Sequence, residues 1–188
     1  MHSDPGTQAR EILADAVFGQ RMDRTSGIVY VPCEHDGSTY QCLAEASLIR
    51  DLVQELCRQT LILPGEAPRK LALEDILVVV PYNLQVRTIQ ATIPGARVGT
   101  VDKFQGQQAP VVIYGMTSSE GDASPRGIEF LFSGNRLNVA ISRAQILAIL
   151  VASPKLVRTR CSSVERMKLL NLFCRAVEAG AGEISVPA

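Results

Sequence analysis

Tryptophan is absent from this chain, and phenylalanine and tyrosine together make up only 5% of its 188 residues. Since 46% of the chain is hydrophobic, a core here must be built mainly from aliphatic side chains, and the length suits one well-packed domain rather than two. No two of the five cysteines follow CxxC spacing, and His2 and His35, the only histidines, complete no ligand set, which argues against a zinc site. An odd cysteine count without a framework leads us to expect free thiols in a reducing compartment. No stretch reaches the roughly 18 apolar residues needed to span a membrane. The opening "MHSDPGTQAR" lacks the apolar heart of a signal peptide, so a soluble, cytoplasmic protein without a membrane partner is expected. Internal repeats and low-complexity blocks are missing too. So are GxxxxGK[ST], the phosphate-cradling loop, and GxGxxG, which ranks a dehydrogenase- or flavodoxin-like enzyme low.

Net charge is also missing: 19 basic and 19 acidic side chains cancel, so the total carries no nucleic-acid signal. The distribution is uneven. Arg136, Arg143, Lys155, Arg158, Arg160, Arg166, Lys168 and Arg175 face only Glu165 between Ser133 and Arg175. That basic third fits either a phosphate-facing surface or a solvated helix face.

Periodicity then supplies elements. "GIVYVPC" (Gly27–Cys33) is β-branched and reads as a strand. Leu43 to Leu56 sets Leu43, Ala46, Ile49, Leu52, Val53 and Leu56 on one helical face. "DILVVVP", "ARVGTV", "PVVIYGM" and "AQILAILVA" are short continuous apolar runs, as in strands covered on both faces of a parallel sheet. Helices are expected from about Asn83 to Ala91, from Asn135 to Arg143, and from Val164 to Ala179 with Met167, Leu170, Phe173 and Val177 inward. Residues 1–24 read as a short helix and loose lead-in, "LPGEAPRK" as a connector, "SSEGDASPRG" as a long flexible loop, and 180–188 as a tail. Strands alternating with helices predict an α/β domain over 25–179, with ligands outside the carboxyl ends of its strands.

Three blocks carry chemistry. In "PYNLQVR" (Pro81–Arg87), Tyr82 stands at a strand end and Arg87 one helical turn beyond Asn83. An aromatic there suits a nucleobase and an arginine fork suits a phosphate, although a packed Tyr and a surface Arg fit as well. In "NRLNVAISRA" (Asn135–Ala144), Arg136 and Arg143 lie two turns apart on one side of a helix. In "VGTVDKFQGQQAPVVIYGMTSS", Thr100 ends a strand, Asp102 can cap the next turn, Gln105 offers donors and an acceptor, and Gly106 permits positive φ. Alone, this block also fits an ordinary strand–turn–strand connection.

In this order and spacing the blocks resemble motifs IV, V and VI of superfamily 1 helicases, the nonsense-mediated-decay helicase and its DNA- and RNA-unwinding relatives in particular. "AEASLIRDLVQEL" resembles the family's Glu-Ala helix and places Glu45 in it, so the resemblance covers about Gly27 to Lys155. It implies a RecA-like fold of the P-loop NTPase class, a mostly parallel sheet flanked by helices. This would be the second of two motor domains, without the Walker A and B elements, and ATP with Mg2+ would be shared with an N-terminal RecA-like domain. Single-stranded DNA or RNA would be the other partner.

Carried across residue by residue, Tyr82 resembles the aromatic that stacks on adenine. Arg87 resembles the motif IV arginine near the γ-phosphate, and Arg143 the motif VI arginine finger. Gln105 and Gly106 resemble the motif V turn, Thr100 its backbone-phosphate contact, and Ser118 falls where a second such contact would lie. Two positions depart. Gln108 stands where motif V has a ribose-contacting Glu, and Ser142 stands where motif VI has Thr. The resemblance thus implies a motor domain, inactive without its first half, or else a degenerate helicase-like module that binds nucleic acid or a protein.

Overall fold

The computed structural model describes residues 10–13, 25–121, 124 and 126–181. Within them run β1 (Glu11–Leu13), β2 (Gly27–Pro32), α1 (Leu43–Leu56), β3 (Thr60–Ile62), β4 (Arg69–Lys70), β5 (Ile76–Val79) and α2 (Asn83–Thr92). Then follow β6 (Arg97–Gly99), β7 (Ala109–Gly115), α3 (Ile128–Leu131), α4 (Gly134–Ile141), β8 (Ala144–Ala152) and α5 (Val164–Gly180).

A five-stranded sheet in the order β2-β8-β7-β5-β6 forms the centre, and its neighbours all pair parallel. The apolar runs explain themselves there. Successive strand side chains face opposite ways, so Ile76 and Val78 of β5 enter one core while Leu77 and Val79 enter the other. β7 divides likewise, with Val111 and Ile113 on one side and Val112 and Tyr114 on the other. α1 and α2 cover the first face through Ala46, Ile49, Leu52, Val53 and Ile89. α3, α4 and α5 cover the second through Leu131, Leu137, Ala140, Phe173 and Ala176. This is a RecA-like α/β arrangement.

The structure corrects the expected pattern in several places. Glu11–Leu13 is a strand, not part of a lead-in helix; the rest of that lead-in lies outside the described residues. It pairs with β3, and β3 with β4, in a small antiparallel sheet. Strands of two or three residues are too short for a period to show in sequence. Ile12 and Leu61 anchor that sheet into the first core, and Arg69 grips the Asp75 carboxylate with both guanidinium nitrogens at 2.6 and 2.8 Å. Leu43 is 71% and Met167 53% exposed, so neither faces inward; each sits in the first turn of its helix. "ARVGTV" is strand only to Gly99; Val101–Phe104 turns into a 3-10 helix. In the expected flexible loop, Ser118 and Ser119 are buried. Of the expected tail, Gly180 belongs to α5, and 182–188 lie outside the described residues.

Candidate nucleotide and nucleic-acid site

The parallel sheet sorts the candidate residues between its two edges. Tyr82 follows β5, Thr100 follows β6 and Ser118 follows β7, so all three stand at the carboxyl edge. From Thr100 the chain returns to the amino edge, where Gln108 directly precedes β7. Arg143 directly precedes β8, and its carbonyl accepts the Ala109 N–H at 3.1 Å, so Gln108 and Arg143 meet there. Gln105 and Gly106 form an exposed turn on the return path, closed by Gln107 N–H to Phe104 O at 3.0 Å. Gly106 has φ +77 with open space around a would-be Cβ, so backbone conformation rather than crowding calls for glycine.

Tyr82 is 4% exposed and is no open platform. It caps α2, its hydroxyl shares a 2.9 Å hydrogen bond with Ser124, and its ring packs against Tyr40 at 5.3 Å and Phe130 at 5.7 Å. The solvent-facing aromatic of this mouth is Tyr40, 47% exposed. Arg126 and Arg136 both lie over the Phe130 ring, at 3.9 and 4.3 Å. Arg136 also reaches Asp102 at 3.7 Å, so α4 begins beside the carboxyl-edge aromatics and ends at Ile141, two residues before Arg143 on the amino edge. Asp102 therefore pairs with Arg136; no side-chain cap bond is found on its turn. Sequence reasoning missed Tyr40 and Phe130, because the first stands in a polar loop and the second in a short helix without a period.

Arg87 is exposed on α2 and Thr100 is half-buried as the N-cap of the 3-10 helix. Arg143 is half-buried, and its Nε is buried with no hydrogen-bond partner among the described residues. Ser118 is fully buried and its hydroxyl donates to the Thr39 carbonyl at 3.0 Å.

Behind the carboxyl edge lies a buried polar cluster. Glu45 on α1 is completely buried; its carboxylate accepts the Thr117 N–H at 2.7 Å, the Thr117 hydroxyl at 3.1 Å and the Gln85 amide at 3.1 Å. Burial pushes its carboxyl up to about 7, against the opposing pull of the Thr117 N–H. Thr117 is a non-glycine residue at φ +65, a conformation that holds roughly 1–3 kcal/mol of strain and needs its surroundings to impose it. Cys42 caps α1 by accepting the Glu45 N–H at 3.3 Å, and the Cys33 thiol beside it holds Cys42 below the usual thiol range.

Comparison with known proteins then decides the family. The AAA domain family model, AAA_12, matches residues 23–155. The chain belongs to that family. Its similar proteins make it a superfamily 1 helicase domain of the nonsense-mediated-decay helicase type. It is 27% identical over 144 residues, 76% of this chain, to the DNA replication ATP-dependent helicase/nuclease JHS1 of Arabidopsis thaliana. It is 30% identical over 116 residues, 57% of this chain, to RNA helicase Mov10l1 of Mus musculus. Over 84 residues, 42% of this chain, it is 36% identical to the mouse DNA replication ATP-dependent helicase/nuclease DNA2. The matches cover 10%, 10% and 8% of those proteins respectively, so the chain spans about a tenth of their length.

Proposed function

We propose that this domain is the C-terminal half of an ATP-dependent motor that moves along single-stranded DNA or RNA. The observation that carries the reading is Arg143: a guanidinium at a sheet edge whose buried Nε has no partner among the described residues. A buried donor left unsatisfied is costly, and a phosphate oxygen would satisfy it. An arginine so placed neutralises charge that develops on a transferring phosphoryl group and is worth roughly 10³–10⁵ in rate. On this reading Gln105, Gly106 and Gln108 stand with Arg143 on the nucleotide side and Thr100 on the strand side, while exposed Arg87 adds a phosphate contact; Tyr82 and Ser118, buried at the carboxyl edge, support that mouth from beneath rather than touching a ligand. Among the described residues no three His, Cys, Asp or Glu side chains are arranged to hold a metal ion. The reading therefore gives Mg2+ and the main phosphate cradle to a first RecA-like domain. ATP would close the two halves over itself and release them after hydrolysis.

The test is Arg143→Ala in a protein carrying both motor halves. Strand-stimulated ATP turnover should fall by about 10³ or more while nucleotide binding is largely kept. Near-normal turnover would remove Arg143 from the finger role. A second reading, a non-catalytic module on the helicase fold, is favoured by Gln108: an amide is a weaker acceptor for a ribose hydroxyl than a carboxylate. If Gln108→Glu raises turnover from nothing to a measurable rate in that protein, the second reading holds.

A further inference from the structure

We propose that Glu45 is a positioning residue that joins helix α2 to the turn after β7, so that displacement of one is felt by the other. The proposal rests on the reading above for its use, since α2 carries Arg87 and the turn carries Ser118.

Its geometry is a chain of satisfied polar atoms. The Gln85 side chain, fully buried on α2, accepts the Cys42 N–H at 2.8 Å and donates to the Cys42 carbonyl at 3.0 Å, clamping the first turn of α1. Its remaining N–H goes to Glu45 Oε1. Oε1 also accepts the Thr117 hydroxyl, and Oε2 accepts the Thr117 N–H. No hydrogen bond joins Gln85 to Thr117 among the described residues, so Glu45 is the link. Strand β7 makes room for it: a Cβ on Gly115 would lie 2.7 Å from Glu45 Oε1.

The turn is pinned from its far side as well. Ser119 N–H donates to Ser38 O at 2.9 Å, Ser38 N–H donates to Ser119 Oγ at 2.9 Å, and His35 Nδ1 shares a 2.7 Å bond with that hydroxyl. Thr117 cannot relax from its left-handed conformation while both anchors hold. Releasing the Glu45 anchor frees the backbone that sets Ser118 and Ser119.

A carboxylate is an acceptor only, and the three donors match its ionised form; a protonated carboxyl must turn one oxygen into a donor. The titratable groups facing it are Cys42 at the α1 cap, His35 and Cys33 beyond β2, and Tyr114 on β7. Among these Tyr114 is raised by burial and stays neutral in the physiological range. His35 is raised chiefly by the neighbouring Cys42 thiol.

Amide hydrogen exchange on the 188-residue chain tests the joint without any ligand. Gln85→Ala should speed exchange at Thr117, Ser118 and Ser119 by about threefold to tenfold, as expected of groups coupled through a shared partner. In a Glu45→Gln background, adding Gln85→Ala should produce no further increase at those amides. Equal increments in both backgrounds, or an effect confined to α1 and α2, would overturn the proposal. The unmutated chain supplies a second readout should a variant fail to fold. Corrected for base-catalysed chemical exchange, Thr117 protection should fall as pH rises through about 7, because opening hydrates this carboxyl and favours its ionised form. A flat profile there counts against the joint.

A fluorescent oligouridylate and a matching deoxyribose strand, added in turn, separate the two ideas. Strand binding should also slow exchange in α2 of the unmutated chain, and not in Glu45→Gln. Coupled exchange in a chain that binds neither strand refutes the nucleic-acid reading and upholds the joint.

Discussion

A glutamate that forms no ion pair among the described residues, sealed between two helices and a strand, is expensive to keep charged, and Glu45 answers with three hydrogen-bond donors. The sign of its linkage follows. In an unfolded chain the carboxyl titrates near 4.5; in the fold, near 7. Between those values the folded state binds more protons, so its contribution to stability declines as pH rises through that window and levels off above it. The total effect is at most roughly 3–4 kcal/mol. Glu45→Gln should erase this slope: urea unfolding of the variant and the parent, compared at about pH 5 and about pH 8, should differ more at one pH than the other. Parallel stability profiles would mean that the carboxyl does not titrate in that window. Asp75 runs the opposite way. Although its burial works against ionisation, the Arg69 fork holds its carboxyl below the usual range, and the stability it contributes is lost only as pH falls through that lowered value.

Helix α5 illustrates how tightly an element can be seated by its smallest residue. A Cβ on Gly180 would lie 2.7 Å from Tyr30 N and 2.9 Å from Val29 C, which are backbone atoms of β2 that no rotamer change can move. Replacing glycine by alanine inside a helix usually gains about 1 kcal/mol. Here the substitution falls on the last helical residue, where that gain shrinks, while overpacking costs about 1–3 kcal/mol. Gly180→Ala is therefore expected to lower the urea midpoint with little change in slope. A raised midpoint would show that α5 can lift from β2 at little cost. The same reasoning covers Gly115, where the obstructing atom is the Glu45 carboxylate. Packing of this kind is invisible in sequence: neither glycine sits in a turn, and no propensity rule distinguishes them from dispensable ones.

As a molecule the chain is neutral yet divided, net +7 from Ser133 to Arg175 and −7 elsewhere. Several of those cations are engaged: Arg166 with Glu129 at 2.7 Å, Lys155 with Asp36, and Arg136 with Asp102 and Phe130. Arg158 and Arg160 are exposed beside a cavity of about 340 Å³ that Gly121 and Thr159 also line. If single strands bind through backbone phosphates, fluorescence anisotropy should show affinity falling steeply between about 50 and 200 mM salt. Salt-independent binding, or none at low salt, would point to a protein partner in place of a nucleic acid.

Much of this was determined by sequence alone. The bounds of α1 follow from side-chain period, since a helix buried against one sheet must repeat its apolar residues at 3.6, whereas β8 was legible as an unbroken apolar run covered on both faces. The buried β5 and β7 were legible as unbroken apolar runs, and motifs IV to VI as spaced residue types. Tertiary structure alone decided three things. It placed Tyr82 beneath Tyr40 and Phe130, because burial of an aromatic depends on neighbours distant in the chain. It put Arg143 and Gln108 at one edge of the sheet and Thr100 and Ser118 at the other, because only parallel pairing fixes where each loop emerges. And it brought Glu45, Gln85 and Thr117, which lie 40 and 72 residues apart along the chain, onto one carboxylate, because a buried charge draws its donors from whichever elements the fold packs around it.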